Sequence, residues 1–160
     1  MTNPSTNKIT LAALFISLSA IGGMIKIPLG IASIALDSLP ALVAVLFLSA
    51  PLAGTVAALG HLLSALFGGM PLGPFHIIIA LEMWAAVWLF AKLHNANRTA
   101  LKWPVFIICN GLLAAIPFYF LLSPAFFYAS VPGLLLAATI NAVGAGIVLP
   151  FMNKVGEKVL

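Results

Sequence analysis

Pro104-Val-Phe-Ile-Ile-Cys-Asn-Gly-Leu-Leu-Ala-Ala-Ile-Pro-Phe-Tyr-Phe-Leu-Leu122 runs for 19 residues without a charged side chain. Roughly 20 apolar residues in α-helix cross the hydrocarbon of a bilayer, so this stretch reads as a membrane span. Working outward, residues 94–102 form the longest hydrophilic segment of the interior, and an apolar block over 75–93 precedes them. Gly68, Gly69, Pro71, Gly73 and Pro74 cluster into a loop. The remaining apolar blocks cover 8–27, 37–50, 51–67 and 131–152, with Pro28, Gly30 and Pro51 as punctuation. The expected fold is an all-α membrane protein: six transmembrane helices over these blocks, forming one domain across 1–160.

Composition agrees. Hydrophobic residues are 63% of the chain and charged residues 6%, against about 25% charged in a soluble domain. Such a chain has too little polar surface to face water, and lipid removes that difficulty. Six spans leave no room for an extramembrane domain, so any ATP hydrolysis is expected on partner chains. The net charge of +4 does not point to nucleic acid, because the basic residues lie near span ends. Cys109 is the only cysteine and reads as a small buried hydrophobe. Lys8, the apolar run after it and Ser17, Ser19 and Ala20 resemble a signal peptide, but the run is long enough to span and is expected to remain as the first helix.

Six spans place both termini on one side. Lys8, Lys92, Arg98, Lys102, Lys154 and Lys158 fall on that side and only Lys26 on the other, so the positive-inside rule makes the terminal side cytoplasmic. Loops over 28–36, 68–74 and 123–130 then face outward. No fixed-period repeat and no inverted symmetry between halves is visible, which weakens an ordinary secondary-transporter reading.

Ionisable groups in hydrocarbon are costly unless paired or facing a cavity. Counting depth at about 1.5 Å per residue puts His61, Glu82 and Asn141 in the outer half, Tyr119 nearer the outer end, and Lys26, Asp37 and His76 at outer ends. Asn110 lies nearer the cytoplasmic half. This convergence predicts an outward polar pocket with Asp37, His61, Ser64, His76, Glu82, Tyr119 and Asn141 as ligand-binding candidates. Each has a plainer role. Asp37, before Ser38 and Pro40, fits a helix N-cap; Lys26 can snorkel; His76 can anchor its loop; His61 can pack against Ser64 or pair with Glu82. Trp84 and Trp88 share a helical face and suit lipid packing, and Trp103 suits the inner interface. Phe118, Tyr119, Phe120, Phe126, Phe127 and Tyr128 suit an aromatic belt or a stacking lid. Small residues four apart, Ala13 and Ser17, Gly60 and Ser64, Ala142 and Gly146, allow close helix approach.

Three stretches carry a family resemblance. The first is Ala13-Leu-Phe-Ile-Ser-Leu-Ser-Ala20 with the following Ile27-Pro-Leu-Gly30. The second is Ile34-Ala-Leu-Asp-Ser-Leu-Pro-Ala-Leu42. The third is Ala50-Pro-Leu-Ala-Gly54 with Leu59-Gly-His-Leu-Leu-Ser-Ala-Leu-Phe-Gly-Gly69. In this order, and with six spans, the chain resembles the substrate-binding S components of energy-coupling-factor (ECF) vitamin transporters. The resemblance implies tight binding of a vitamin or precursor in an outward pocket. It also implies association with a shared transmembrane energy-coupling subunit and two ATPase subunits in a prokaryotic plasma membrane, with no catalysis or cofactor on this chain. The family's small-residue contact with the shared subunit maps onto Ala13 and Ser17, where serine replaces the usual second alanine. Many relatives have Gly-Asp where this chain has Gly60-His61. With Pro71-Leu-Gly-Pro-Phe-His76 and Glu82, this looks most like the branch assigned to α-ribazole; pantothenate and pyridoxine are the alternatives.

Other functions stay open at this stage. An autonomous small-molecule carrier or channel needs no partner. A membrane enzyme would use His61 and Glu82 as an acid–base pair, although no nucleophile motif accompanies them. Two histidines and a glutamate hold a metal only if the fold gathers them, and none is expected. A purely structural protein is the remaining alternative.

Overall fold

The computed structural model describes the backbone of residues 4–29 and 32–159 and the side chains of 6–25 and 35–154. The chain forms α1 (Pro4–Met24), an antiparallel hairpin β1 (Lys26–Leu29) and β2 (Ala32–Ala35), α2 (Ser38–Ala44), α3 (Ala50–Phe67), α4 (His76–Asn95), α5 (Lys102–Gly111), α6 (Ile116–Leu121) and α7 (Pro124–Val159). Short 3-10 turns precede α4 and join α5 to α6.

Among the described residues, five segments are long and apolar enough to cross a membrane: Thr6–Met24, Ala50–Phe67, Gly73–Asn95, Lys102–Leu121 and Pro124–Lys154. Their outer faces suit lipid. Leu14, Leu18 and Ile21 on α1 are 56%, 50% and 58% exposed, and Phe120 is 79% exposed. A water-facing surface does not carry so continuous an apolar face.

Several elements depart from the sequence reading. The connection expected over 28–36 is largely a hairpin in the register Lys26↔Ala35 to Leu29↔Ala32, so the bundle is not purely helical. The pairing closes the backbone's own hydrogen bonds where the chain leaves α1. The block over 37–50 is the seven-residue α2 followed by turns in which the amides of Phe47 and Leu48 donate to the Ala44 carbonyl. Seven residues rise only about 10 Å. Ala41, Leu42 and Ala44 are fully buried, so α2 sits among the other helices. The block over 104–122 is broken: Pro117 has no amide to continue the ladder, and the Ile116 amide closes a tighter turn on the Leu113 carbonyl. The loop expected over 123–130 is helical from Pro124 onward. The Phe126 amide donates to the Ser123 hydroxyl at 3.1 Å, an N-cap with proline in the first turn. Lys26 and Lys158 have side chains outside the described ones.

Close contacts set the direction of each helix. Gly60 meets Ser19 and Gly23 meets Ser64, so α1 and α3 run parallel. Phe15 stacks on Phe47 at 5.9 Å while Gly22 meets Leu36, so the segment through α2 returns antiparallel to both. At Gly54 a Cβ would lie 2.8 Å from the Trp84 carbonyl oxygen, a contact only glycine permits between antiparallel α3 and α4. Phe90 meets Trp103 and Phe106 at 5.0 and 6.1 Å across the α4–α5 turn. At Gly111 a Cβ would come within 2.9 Å of Leu135 Cα, which lets α7 close against α5. The chain therefore alternates in direction, and the start of α1 and the end of α7 lie at the same end of the bundle.

Ser19 is fully buried where α1 meets α3, and its hydroxyl has no partner among the described residues. An unmet buried hydroxyl costs about 1–3 kcal/mol. Ser19→Ala is therefore expected to raise the unfolding temperature in detergent by a few degrees. A lower temperature would show that the hydroxyl is bonded.

Candidate functional site

At the end of the bundle opposite the termini, α2, α3, α4, α5 and α7 enclose a cavity of about 250 Å³. Among the described residues its polar lining is Asp37, Ser38, His61, Ser64, His76, Asn110, Ser130 and Asn141, and Phe118, Phe126, Ile79 and Met83 are among its apolar groups.

Asn141 on α7 is 2% exposed. Its side-chain oxygen accepts from the Leu39 amide at 2.8 Å, and its amide donates to the carbonyls of Ala35 at 2.8 Å and Ala137 at 2.9 Å. A residue 102 positions away thus caps the first turn of α2. Asp37 does stand at the N-cap position of α2, as its alternative role requires, but its side chain makes no cap bond. Its carboxylate accepts from Ser38 Oγ at 3.3 Å and faces His61 Nδ1 at 3.1 Å.

The loop after α3 positions the next member. Gly69 has φ +81°, while the Met70 amide donates to Ala65 and the Gly69 amide to Leu66. This Schellman closure favours glycine and turns the chain back so that α4 begins at His76. His76 Nδ1 lies 3.1 Å from His61 Nε2, and the Leu72 amide donates to His76 Nε2 at 3.4 Å.

These bonds favour one tautomer for each ring. A backbone amide can only donate, so His76 Nε2 carries the lone pair. A neutral His76 then bears its hydrogen on Nδ1 and donates to His61 Nε2. That leaves the His61 hydrogen on Nδ1, donating to Asp37. A line of contacts thus runs from Leu72 through His76 and His61 to the Asp37 carboxylate.

Of the sequence-derived candidates, the structure gathers Asp37, His61, Ser64, His76 and Asn141 on the cavity. Glu82 and Tyr119 do not line it. Glu82 is half-buried on α4, one of its carboxyl oxygens has no partner among the described residues, and His61 pairs with Asp37 instead. Tyr119 belongs to an edge-to-face cluster with Phe120, Phe127 and Tyr128, at centroid distances of 5.0, 5.7 and 6.3 Å. Depth along a helix does not say which way a side chain points, and both point elsewhere. Asn110, placed by depth toward the other half, lines the cavity. Trp84 stacks on Trp88 at 6.1 Å, away from the cavity. Asp37, His61 and His76 bond one another in a line, and no group of three or more His, Cys, Asp or Glu side chains among the described residues is arranged to hold a metal ion.

Compared with known proteins, the chain matches no family model, no curated protein and no solved structure.

Asn141→Leu would strip the partners from the Leu39 amide and the Ala35 carbonyl. At about 1–3 kcal/mol for each buried group left unmet, the variant is expected to lose about 2–4 kcal/mol of stability. Denaturation in detergent measures this, and a change below about 0.5 kcal/mol would remove Asn141 from its structural role.

Proposed function

We propose that this chain is the substrate-binding subunit of an ECF-type importer for a vitamin or vitamin precursor, with α-ribazole as the best candidate. The observation that carries the reading is the cavity: a polar, aromatic-edged site between helices, at the end away from both termini. Its volume of about 250 Å³ lies just below the range of small-molecule sites, which run from about 300 Å³ upward, and suits a small ligand of one or two ring systems. In this reading the chain crosses the plasma membrane six times, with the α2 segment making the return between the parallel helices α1 and α3. Both termini are cytoplasmic, because Lys8, Lys92, Arg98, Lys102 and Lys154 belong to their end, so the cavity opens outward.

The surface of α1 supports a partner subunit. Ala13 and Ser17 are both exposed, one turn apart on the lipid side, and Ser17 Oγ donates to the Ala13 carbonyl at 2.9 Å, which keeps the serine compact. A small flat patch beside Leu14 and Leu18 permits close approach of another helix.

For α-ribazole, Phe118 and Phe126 offer a wall for the benzimidazole. The ribose hydroxyls fall to Ser64, Ser130 and Asn110 rather than to Glu82, His61 or Asn141.

A thermal-shift screen of the purified chain against α-ribazole, pyridoxine and pantothenate tests the reading, since a ligand that binds only the native state stabilises it. One compound is expected to raise the unfolding temperature, saturating at low concentration without ATP. Ala13→Trp or Ser17→Trp should abolish uptake in cells carrying the partner subunits while leaving that shift intact. Loss of the shift in these variants would place α1 in the binding site instead. Glu82→Gln is expected to leave affinity within about twofold, and a larger loss would return Glu82 to the site.

A further inference from the structure

The end of α1 touches two walls of the cavity. Gly22 and Gly23 are consecutive, so they face neighbours about 100° apart around the helix. The Gly22 carbonyl accepts from the Leu36 amide at 3.1 Å. A Cβ on Gly22 would lie 3.0 Å from the Leu36 carbonyl carbon and closer still to its oxygen. A Cβ on Gly23 would collide with Cβ and Oγ of Ser64 on α3. Leu36 stands between Ala35 and Asp37, and Ala35, Asp37 and Ser64 all line the cavity. Bare backbone is what fits against both walls.

The same two walls also meet each other. Asp37 on one faces His61 Nδ1 on the other at 3.1 Å, just under one turn before Ser64. Three contacts thus form a triangle: Gly22 with Leu36, Gly23 with Ser64, and Asp37 with His61. Its corners do not yield equally. α3 is held against α4, where Gly54 meets the Trp84 carbonyl. The outer face of α1, with Leu18 and Ile21 exposed, has only lipid behind it. The Gly22–Leu36 bond and the pairing of Lys26 with Ala35 tie residues 35–36 to α1, main chain to main chain. Asn141 holds the same segment through a side chain, which can follow by rotating. Carbon atoms settle about 3.5 Å or more apart, so a methyl at position 23 needs about 1 Å of extra room. α1 supplies it by moving toward lipid, and it takes residues 35–37 along. The gap then opens between Asp37 and His61.

We propose that Gly22 and Gly23 are a spacer of bare backbone that sets the width of the cavity between α3 and the entry to α2, and with it the largest ligand the cavity admits. This rests on the reading of the cavity as the substrate site and names the residues that fix its size limit. Both are positioning residues, acting through Leu36 and Ser64.

Cavity width can be measured without a ligand. In a Cys109→Ser background, Asn110→Cys places a thiol on the cavity wall, and Thr99→Cys places one on the exposed turn between α4 and α5. Each is labelled with methyl methanethiosulfonate and with the bulkier benzyl methanethiosulfonate, both uncharged. Gly23→Ala is expected to raise the benzyl-to-methyl rate ratio at position 110 by at least about fivefold and to leave it unchanged at position 99. Ser64→Gly removes the atoms that the new methyl strikes. In that background Gly23→Ala should leave the ratio unchanged, while the larger Gly23→Val should raise it, as coupled neighbours require. Gly22→Ala, which strikes Leu36, should raise the ratio with or without Ser64→Gly. An unchanged or lower ratio in folded Gly23→Ala would overturn the proposal, and so would a rise that Ser64→Gly fails to cancel. If Gly23→Ala does not fold, the comparison of Ala with Val at position 23 in the Ser64→Gly background decides, and equal ratios there would overturn it. α-Ribazole, pyridoxine and pantothenate are screened alongside by thermal shift. The expected ratios with no shift from any of the three would uphold the spacer and count against the vitamin reading. A shift with unchanged ratios would overturn the spacer and leave the vitamin reading standing.

Discussion

A single buried amide organises the end of the bundle that holds the cavity. Asn141 meets the last carbonyl of the hairpin, the first turn of α2 and its own helix at once. In an interior without water, each of these backbone groups needs a partner. One side chain satisfies the two that the hairpin-to-α2 junction presents to α7. Because α7 caps α2, Asp37 is released from capping and turns to His61. The line of contacts to Leu72 follows from that release, and with it the wall that α2, α3 and the loop before α4 present to the cavity.

The rest of the cavity is made by interruptions of helix. The turn between α5 and α6 brings Ala114 and Ala115 to the lining. The Schellman closure at Gly69 brings Pro71 and Leu72 to the rim. Each interruption closes its own backbone bonds locally, which lets it persist in a low-dielectric setting. Stability comes from close backbone approach at Gly54 and Gly111 and from the packing of Phe90 against Trp103 and Phe106, while the space for a ligand comes from the breaks.

Much of this was legible in the sequence. Hydrocarbon thickness fixes span length, so the long blocks were readable, and proline and glycine marked most of their ends. The helical start at Pro124 was also legible in principle, since Ser123 and Pro124 form an N-cap and first turn. The hairpin was not, because residues 26–35 lack a strong two-residue turn signal and a long alternating pattern. The shortness of α2 was hidden because its buried apolar residues look like lipid-facing ones. In the site, depth counting gathered Asp37, His61, Ser64, His76 and Asn141, since groups that bond one another must share a level. It misplaced Glu82 and Tyr119 because depth carries no azimuth. It passed over Asn110 because counting along α5 assumed an unbroken helix to residue 122.

The length of α7 has a mechanical consequence. Its 36 residues rise about 54 Å, well beyond the roughly 30 Å of hydrocarbon it must cross. The surplus has to be taken up by tilt or by projection into water. Phe126 and Ser130 at one end face the cavity, and Lys154 lies near the other. The cavity's edge and the basic end of the bundle thus lie on one continuous helix, each set off from its middle by a proline, Pro132 and Pro150, where the helix can bend.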